Sequence, residues 1–154
     1  MWWVDDVMMD EAERLERGIR PPDPTRWTRQ IYVTRIFDQL ICNFDRNTTN
    51  LLIDDQWRVW MIDHTRSFKV FGELREPDNL GTRCERGMLA AMRRLDTPLL
   101  KKTMGDMLSP DQVKGLLERR DLIVAHFDAL IEERGEIVVL FDLPPRTDAA
   151  GGEE

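Results

Sequence analysis

Asn43-Phe44-Asp45-Arg46-Asn47-Thr48-Thr49-Asn50 is the stretch on which the fold turns. It is rich in side chains that compete for backbone hydrogen bonds, so it ends whatever helix precedes it. Behind it, the span from Trp27 to Phe44 carries Trp27, Ile31, Val33, Ile36, Phe37, Leu40, Ile41 and Phe44 at spacings of three and four. That is the pattern of one long helix with a wide apolar face. Ahead of it, Leu51-Leu52-Ile53 reads as a short strand, Asp54-Asp55-Gln56 as a turn, and Trp57-Arg58-Val59-Trp60-Met61-Ile62 as the returning strand. Helix, polar loop and β-hairpin is the expected local order.

A hairpin brings its two ends together. Asn50 lies five residues after Asp45, and Asp63 lies 13 residues beyond Asn50 at the far end of the hairpin. A loop carboxylate, a loop amide and a strand-end carboxylate can then converge on one point. Hard oxygen donors of this kind suit magnesium-assisted phosphoryl transfer, in which the metal is held on nucleotide phosphates while another carboxylate orients the attacking hydroxyl. D-x-x-x-x-N followed by an aspartate at a strand end is also the layout of kinase catalytic and metal loops.

On these residues the chain resembles the protein-kinase-like superfamily, and within it the phosphatidylinositol 3- and 4-kinase-like branch of atypical kinases. The branch reads D-R-H-x-x-N and then I-D-F-G. Here the loop is Asp45-Arg46-Asn47-Thr48-Thr49-Asn50 and the second motif Ile62-Asp63-His64-Thr65. The resemblance is dense from Trp27 to Phe68 and looser over the helical remainder. It implies a mainly α fold with a small β-hairpin (α+β), a kinase C-terminal lobe, and ATP and Mg²⁺ as cofactors. It makes Asp45 the catalytic aspartate that orients or deprotonates the hydroxyl of a protein, lipid or small-molecule substrate. Asn50 and Asp63 become the metal-binding and cofactor-binding pair, and Arg46 the loop arginine that neutralises the catalytic carboxylate or an incoming phosphate.

The departures from that pattern carry information of their own. Asn47 replaces the family histidine, and His64 and Thr65 replace the phenylalanine and glycine after the metal aspartate. Lys69, Lys101, Lys102 and Lys114 are the only lysines, all downstream of the loop, and no G-x-G-x-x-G occurs. The N-terminal lobe of a kinase is therefore expected to be missing. Positioning by that lobe supplies much of phosphoryl-transfer catalysis, so a fragment or shortened relative with weak or no activity alone is the expectation. The alternative is a non-catalytic nucleotide- or partner-binding module, with a metal-dependent hydrolase as a further rival.

Outward from this centre, Met1 to Glu16 has apolar residues at roughly helical spacing, with Trp2 and Trp3 expected to dock on the core. Pro21-Pro22-Asp23-Pro24 forms a stiff linker and Thr25 a helix cap. Glu73 to Thr82 reads as a mobile connection. Helices are expected over Gly87–Leu95 and Thr97–Leu108, the latter capped by Thr97. A third opens at the capping box Ser109-Pro110-Asp111-Gln112, and a longer one follows from Leu122 to Glu133. Ile137 to Leu143 reads as an extended strand. The domain divides into a segment and linker (1–24), the catalytic helix, loop and hairpin (25–68) and a helical subdomain (69–143), with a disordered tail at 144–154.

Met88, Met92, Met104 and Met107 are expected in the core, and His64 and His126 as packed or hydrogen-bonded residues. Trp57 and Trp60 are expected on opposite faces of their strand. Arg66 reads either as an anion contact or as an exposed surface arginine. At 154 residues, 42% hydrophobic and 33% charged, the chain has material for one core. A formal net charge of −7 argues against a nucleic-acid partner, and no apolar run approaches the roughly 20 residues of a transmembrane segment. Cys42 and Cys84 have no pairing pattern and read as reduced thiols. A cytoplasmic location is the expectation.

Overall fold

A computed structural model describes residue 4 and residues 6–146. Trp2, Trp3 and residues 147–154 of the expected tail lie outside the described residues. The chain begins with a strand, β1 (Val7–Asp10), followed by a short helix, α1 (Glu11–Glu16), and the long helix α2 (Pro24–Ile41). The hairpin strands are β2 (Leu51–Asp54) and β3 (Val59–Met61). Together β1, β2 and β3 form a three-stranded antiparallel sheet, with Leu51 opposite Met61, Ile53 opposite Val59, and Asp10 opposite Leu52.

β1 corrects the helical reading of the first segment. Val7-Met8-Met9 is a continuous apolar run, and such a run has no period with which to choose helix or strand. The open edge of β2 decides, by offering unpaired backbone groups. Asp10 then caps α1 by accepting from the Glu13 N–H at 2.8 Å. In α2 the cap is Asp23, which accepts from Arg26 N, rather than Thr25. Proline at the first helical position fits there because its missing N–H needs no partner.

The second half is helical. β4 (Cys84–Glu85) leads into α3 (Arg86–Arg94), α4 (Thr97–Met104), α5 (Pro110–Arg134), α6 (Glu136–Val139) and β5 (Leu140–Phe141). Asp96, not Thr97, caps α4. The capping box at Ser109 is present, and α5 runs unbroken for 25 residues where two helices were expected. Nothing between Glu118 and Leu122 breaks a helix, and the four charged residues there sit comfortably in one. Ile137 to Leu143 is one helical turn and then β5, which pairs parallel with β4 and buries Cys84 against Leu140.

Ile36, Leu80, Leu89, Ile123, Phe127 and Val139 form the centre of the core, each at 1% exposure or less. Leu80 anchors the connection that was expected to be mobile, through a 3-10 turn at Pro77–Leu80. Met92 is buried and Met88 and Met104 pack against the core, but Met107 is 72% exposed, because α4 ends before it. Trp57 is not in the strand: it sits in the turn at φ 58° and lies edge-on to Trp27. His126 hydrogen-bonds to the Gly81 carbonyl.

Candidate functional site

The C-terminus of α2 sets the position of the loop. A helix leaves its last four carbonyls without intrahelical partners. Here Asp38 O accepts from Asn43 N at 2.8 Å, Gln39 O from Cys42 N, Leu40 O from Arg119 Nε at 2.9 Å, and Ile41 O from Phe68 N at 2.5 Å. Cys42 takes the left-handed conformation at φ 59° that closes the helix. The loop therefore leaves α2 in a set direction, and the segment after Asp63 is tied to the same helix end.

Asp38, on the last turns of α2, organises the loop. It is 7% exposed and takes a two-pronged guanidinium from Arg46, Nε to Oδ2 at 2.9 Å and Nη2 to Oδ1 at 2.7 Å. Asn43 Nδ2 approaches the same carboxylate. Arg46 also donates from Nη1 to the Ile62 carbonyl at 2.7 Å, and its Nη2 lies 3.4 Å from His64 Nε2. One side chain thus joins helix, loop and hairpin end, and a fork of this shape does so better than a lysine would. His64 lies edge-on to Phe37, and burial followed by the neighbouring Arg46 charge lowers its pKa below the ordinary 6.5.

Asn50 and Asp63 stand at the open end of the hairpin. The Asn50 carbonyl accepts from Ile62 N at 3.1 Å, so Asn50 faces the residue just before Asp63. Asn47 caps the 3-10 turn Thr48–Asn50 by accepting from Thr49 N. Asp63 takes φ 56°, a conformation that aspartate tolerates by bonding locally. Its Oδ1 accepts from the Thr65 hydroxyl at 2.6 Å and from Thr65 N at 3.3 Å. Those hydrogen bonds hold the exposed carboxyl below the usual carboxylate range.

Asp45 is exposed and pairs with Arg66 at 3.0 Å across an open cavity of about 390 Å³ lined by Phe44, Asp45, Arg66, Lys69, Arg75 and Glu76. So the structure brings Asn50 and Asp63 to one hairpin end and sets Asp45 beside the segment that follows. Arg46 pairs with Asp38 rather than with Asp45.

Asp38 and Arg119 were missed in the sequence. Gln30, Thr34 and Asp38 recur every four residues along α2 and are all buried, a polar row on a helix read only for its apolar residues. Gln30 serves the hairpin directly, donating to Trp57 O and accepting from Val59 N, both at 2.9 Å. Arg119 carried no signal, since one arginine in a charged helix looks like any other.

Among the described residues no three His, Cys, Asp or Glu side chains cluster as a metal site, and no helix is long and apolar enough to cross a membrane. No family model matches the chain, and no curated protein matches it. Among solved structures it is similar to hydra Fam20, determined with sugar, at a TM-score of 0.62 and 20% identity, over 86% of this chain and 43% of that one. Fam20 has an atypical protein-kinase-like fold, and the architecture here is the α+β fold of a kinase-like C-terminal lobe. The chain spans less than half the length of the Fam20 chain it matches.

Proposed function

We propose that this chain carries the catalytic and metal loops of an ATP- and magnesium-dependent phosphotransferase. In this reading Asp45 orients the attacking hydroxyl and accepts its proton, while Asn50 and Asp63 hold the metal against nucleotide phosphates. The finer assignment to the phosphatidylinositol 3/4-kinase-like branch rests on the two motifs, Asp45 to Asn50 and Ile62 to Thr65.

The observation that carries the reading is the open end of the hairpin, where the Asn50 carbonyl accepts from the N–H of Ile62, the residue just before Asp63. The donor set fits magnesium, which takes one or two carboxylates and completes its shell with substrate phosphates and water rather than with an all-protein cage. In this reading Asp63 supplies the carboxylate and Asn50 the amide oxygen of such a set. The chemistry supplied by the bound ion is neutralisation of charge on the transferring phosphoryl group. Thr65 orients the Asp63 carboxylate through its hydroxyl, Arg46 holds loop and hairpin in register, and Arg66 pairs with one oxygen of the exposed Asp45 carboxylate.

One observation favours a second reading, a non-catalytic nucleotide-binding module: an oxygen of Asp45 is engaged by Arg66 at 3.0 Å. Calorimetric titration of Mg-ATP, with phosphate release and transfer followed on the same samples, separates the two. The first reading expects metal-dependent binding that Asp63→Ala abolishes and slow turnover that Asp45→Asn abolishes. Binding without turnover supports the module. No metal-dependent binding rejects both.

A further inference from the structure

Arg119 lies in the middle of α5 with no exposed surface and, among the described residues, no ion pair with a carboxylate. An unpaired buried charge is costly, so its surroundings must supply negative potential. They do so with backbone carbonyls drawn from two separate parts of the chain. Nε donates to Leu40 O at 2.9 Å, and Nη1 donates to Lys69 O at 3.1 Å and to Phe71 O. Leu40 belongs to the last turn of α2, where the helix dipole presents its negative end. Lys69 and Phe71 belong to the segment that follows Asp63.

Gly115, four residues earlier on the same face of α5, allows that contact. A Cβ on Gly115 would stand 2.5 Å from the Val70 carbonyl oxygen and 2.7 Å from its carbon, closer than a real side chain approaches. The backbone of residues 69–71 thus lies directly on α5. Beside it, Phe68 donates to Ile41 O at 2.5 Å.

We propose that Arg119, seated by Gly115, is a positioning residue that sets the distance between the two halves of the candidate site. Asp45 lies four residues beyond Ile41, and Asp63 lies five residues before Phe68. The Arg119 junction joins those two stretches where they run back into the body of the protein. Arg46 joins them at the opposite end, through Asp38 and Ile62 O. Loop and segment are therefore held at both ends by guanidinium groups. A lysine at 119 has no planar fork with which to reach carbonyls on both sides. The meaning for catalysis rests on the reading of Asp45 and Asp63 given above; the junction itself does not.

The test is residue-resolved amide hydrogen exchange on the full chain, with Mg-ATP titration as a second arm. The variants are Gly115→Ala, Arg119→Met and Arg119→Lys. Gly115→Ala is favourable to the helix itself, so any loosening comes from the displaced Val70 backbone. The expected result is exchange of the Phe68 amide at least about tenfold faster in Gly115→Ala and about a hundredfold faster in Arg119→Met. Arg119→Lys is expected to fall between, while Leu89 and Ile62 amides stay within about threefold of wild type. Mg-ATP affinity is expected to fall in the same order. An unchanged Phe68 amide in Gly115→Ala overturns the proposal. So does acceleration of Phe68 only in step with Leu89, the mark of general destabilisation. Should wild type bind no Mg-ATP, the phosphotransferase reading fails while the exchange arm still decides the junction.

Discussion

The two ends of the β2–β3 hairpin each carry an aspartate, and the two are treated in opposite ways. At the turn end, Asp54 is fully buried and accepts from Gln56 N, Arg58 N, Arg58 Nε and Trp60 Nε1, at 2.6 to 3.0 Å. Burial alone pushes its pKa up, but the hydrogen bonds from Trp60 and Arg58 outweigh that and leave it lowered. At the open end, Asp63 is exposed and, among the described residues, its hydrogen bonds stay within its own turn, to Thr65. A carboxylate whose acceptor sites are filled by protein donors is committed to structure, whereas one with free lone pairs in solvent is available to a cation or a ligand. Spacing in the sequence does not tell these two aspartates apart.

Replacing Asp54 tests the structural half of the contrast and should have the largest effect. Asp54→Ala strands its donors and the Arg58 charge, so a loss of about 4 kcal/mol in denaturant unfolding is expected. Because the folded carboxyl titrates below its ordinary range, its contribution is present above that range and is lost as pH falls through the folded value. The wild type should therefore show an acid limb in its pH–stability curve that Asp54→Ala lacks.

Behind the open end, Arg46→Met leaves the buried Asp38 carboxylate unpaired, and about 3 kcal/mol should be lost in the same unfolding measurement. Asp63→Ala is the sharpest counterpart to Asp54→Ala. Its melting temperature should stay close to wild type while metal-dependent ATP binding disappears. A large drop in melting temperature would show that the open end is structural as well.

The next effect is smaller. His64 has a lowered pKa, so the folded state favours the neutral ring; the stabilisation is present above the ordinary value near 6.5 and falls as pH drops below it. Wild type should melt at a lower temperature at pH 5 than at pH 7, and His64→Gln should reduce that difference. Arg66→Ala breaks only an exposed pair with Asp45, and such pairs contribute little. Its thermal stability should be nearly unchanged, whereas turnover, where the chain has any, should rise if Arg66 shields Asp45 and fall if Arg66 binds substrate.

Legibility in the sequence followed the length and period of each signal. α2 was readable because seven apolar residues from Trp27 to Ile41 repeat at helical spacing, and the capping box at Ser109 because its two reciprocal hydrogen bonds need only four consecutive residues. The hairpin was readable from its β-branched and aromatic runs on either side of Asp54-Asp55. β1 was not, since Val7-Met8-Met9 has no period of its own and becomes a strand by pairing with β2. Of the candidate site residues, Asp45, Asn50 and Asp63 could be picked out by motif. Asp38 could have been found from the buried row Gln30, Thr34, Asp38. Arg119 could not, because its partners lie 79 and 50 residues away.

By itself, then, the sequence determined the local order of helix, polar loop and hairpin, together with the carboxylate and amide side chains on which the proposed function rests. Those are consequences of short-range backbone preference and side-chain chemistry. The tertiary structure alone decided which aspartates are buried and which are free, that Arg46 serves Asp38, and that a buried arginine on α5 holds the end of α2 to the segment after Asp63. These depend on which distant groups share a low-dielectric interior, where a buried donor or charge without a partner is costly and where the partners come from remote parts of the chain.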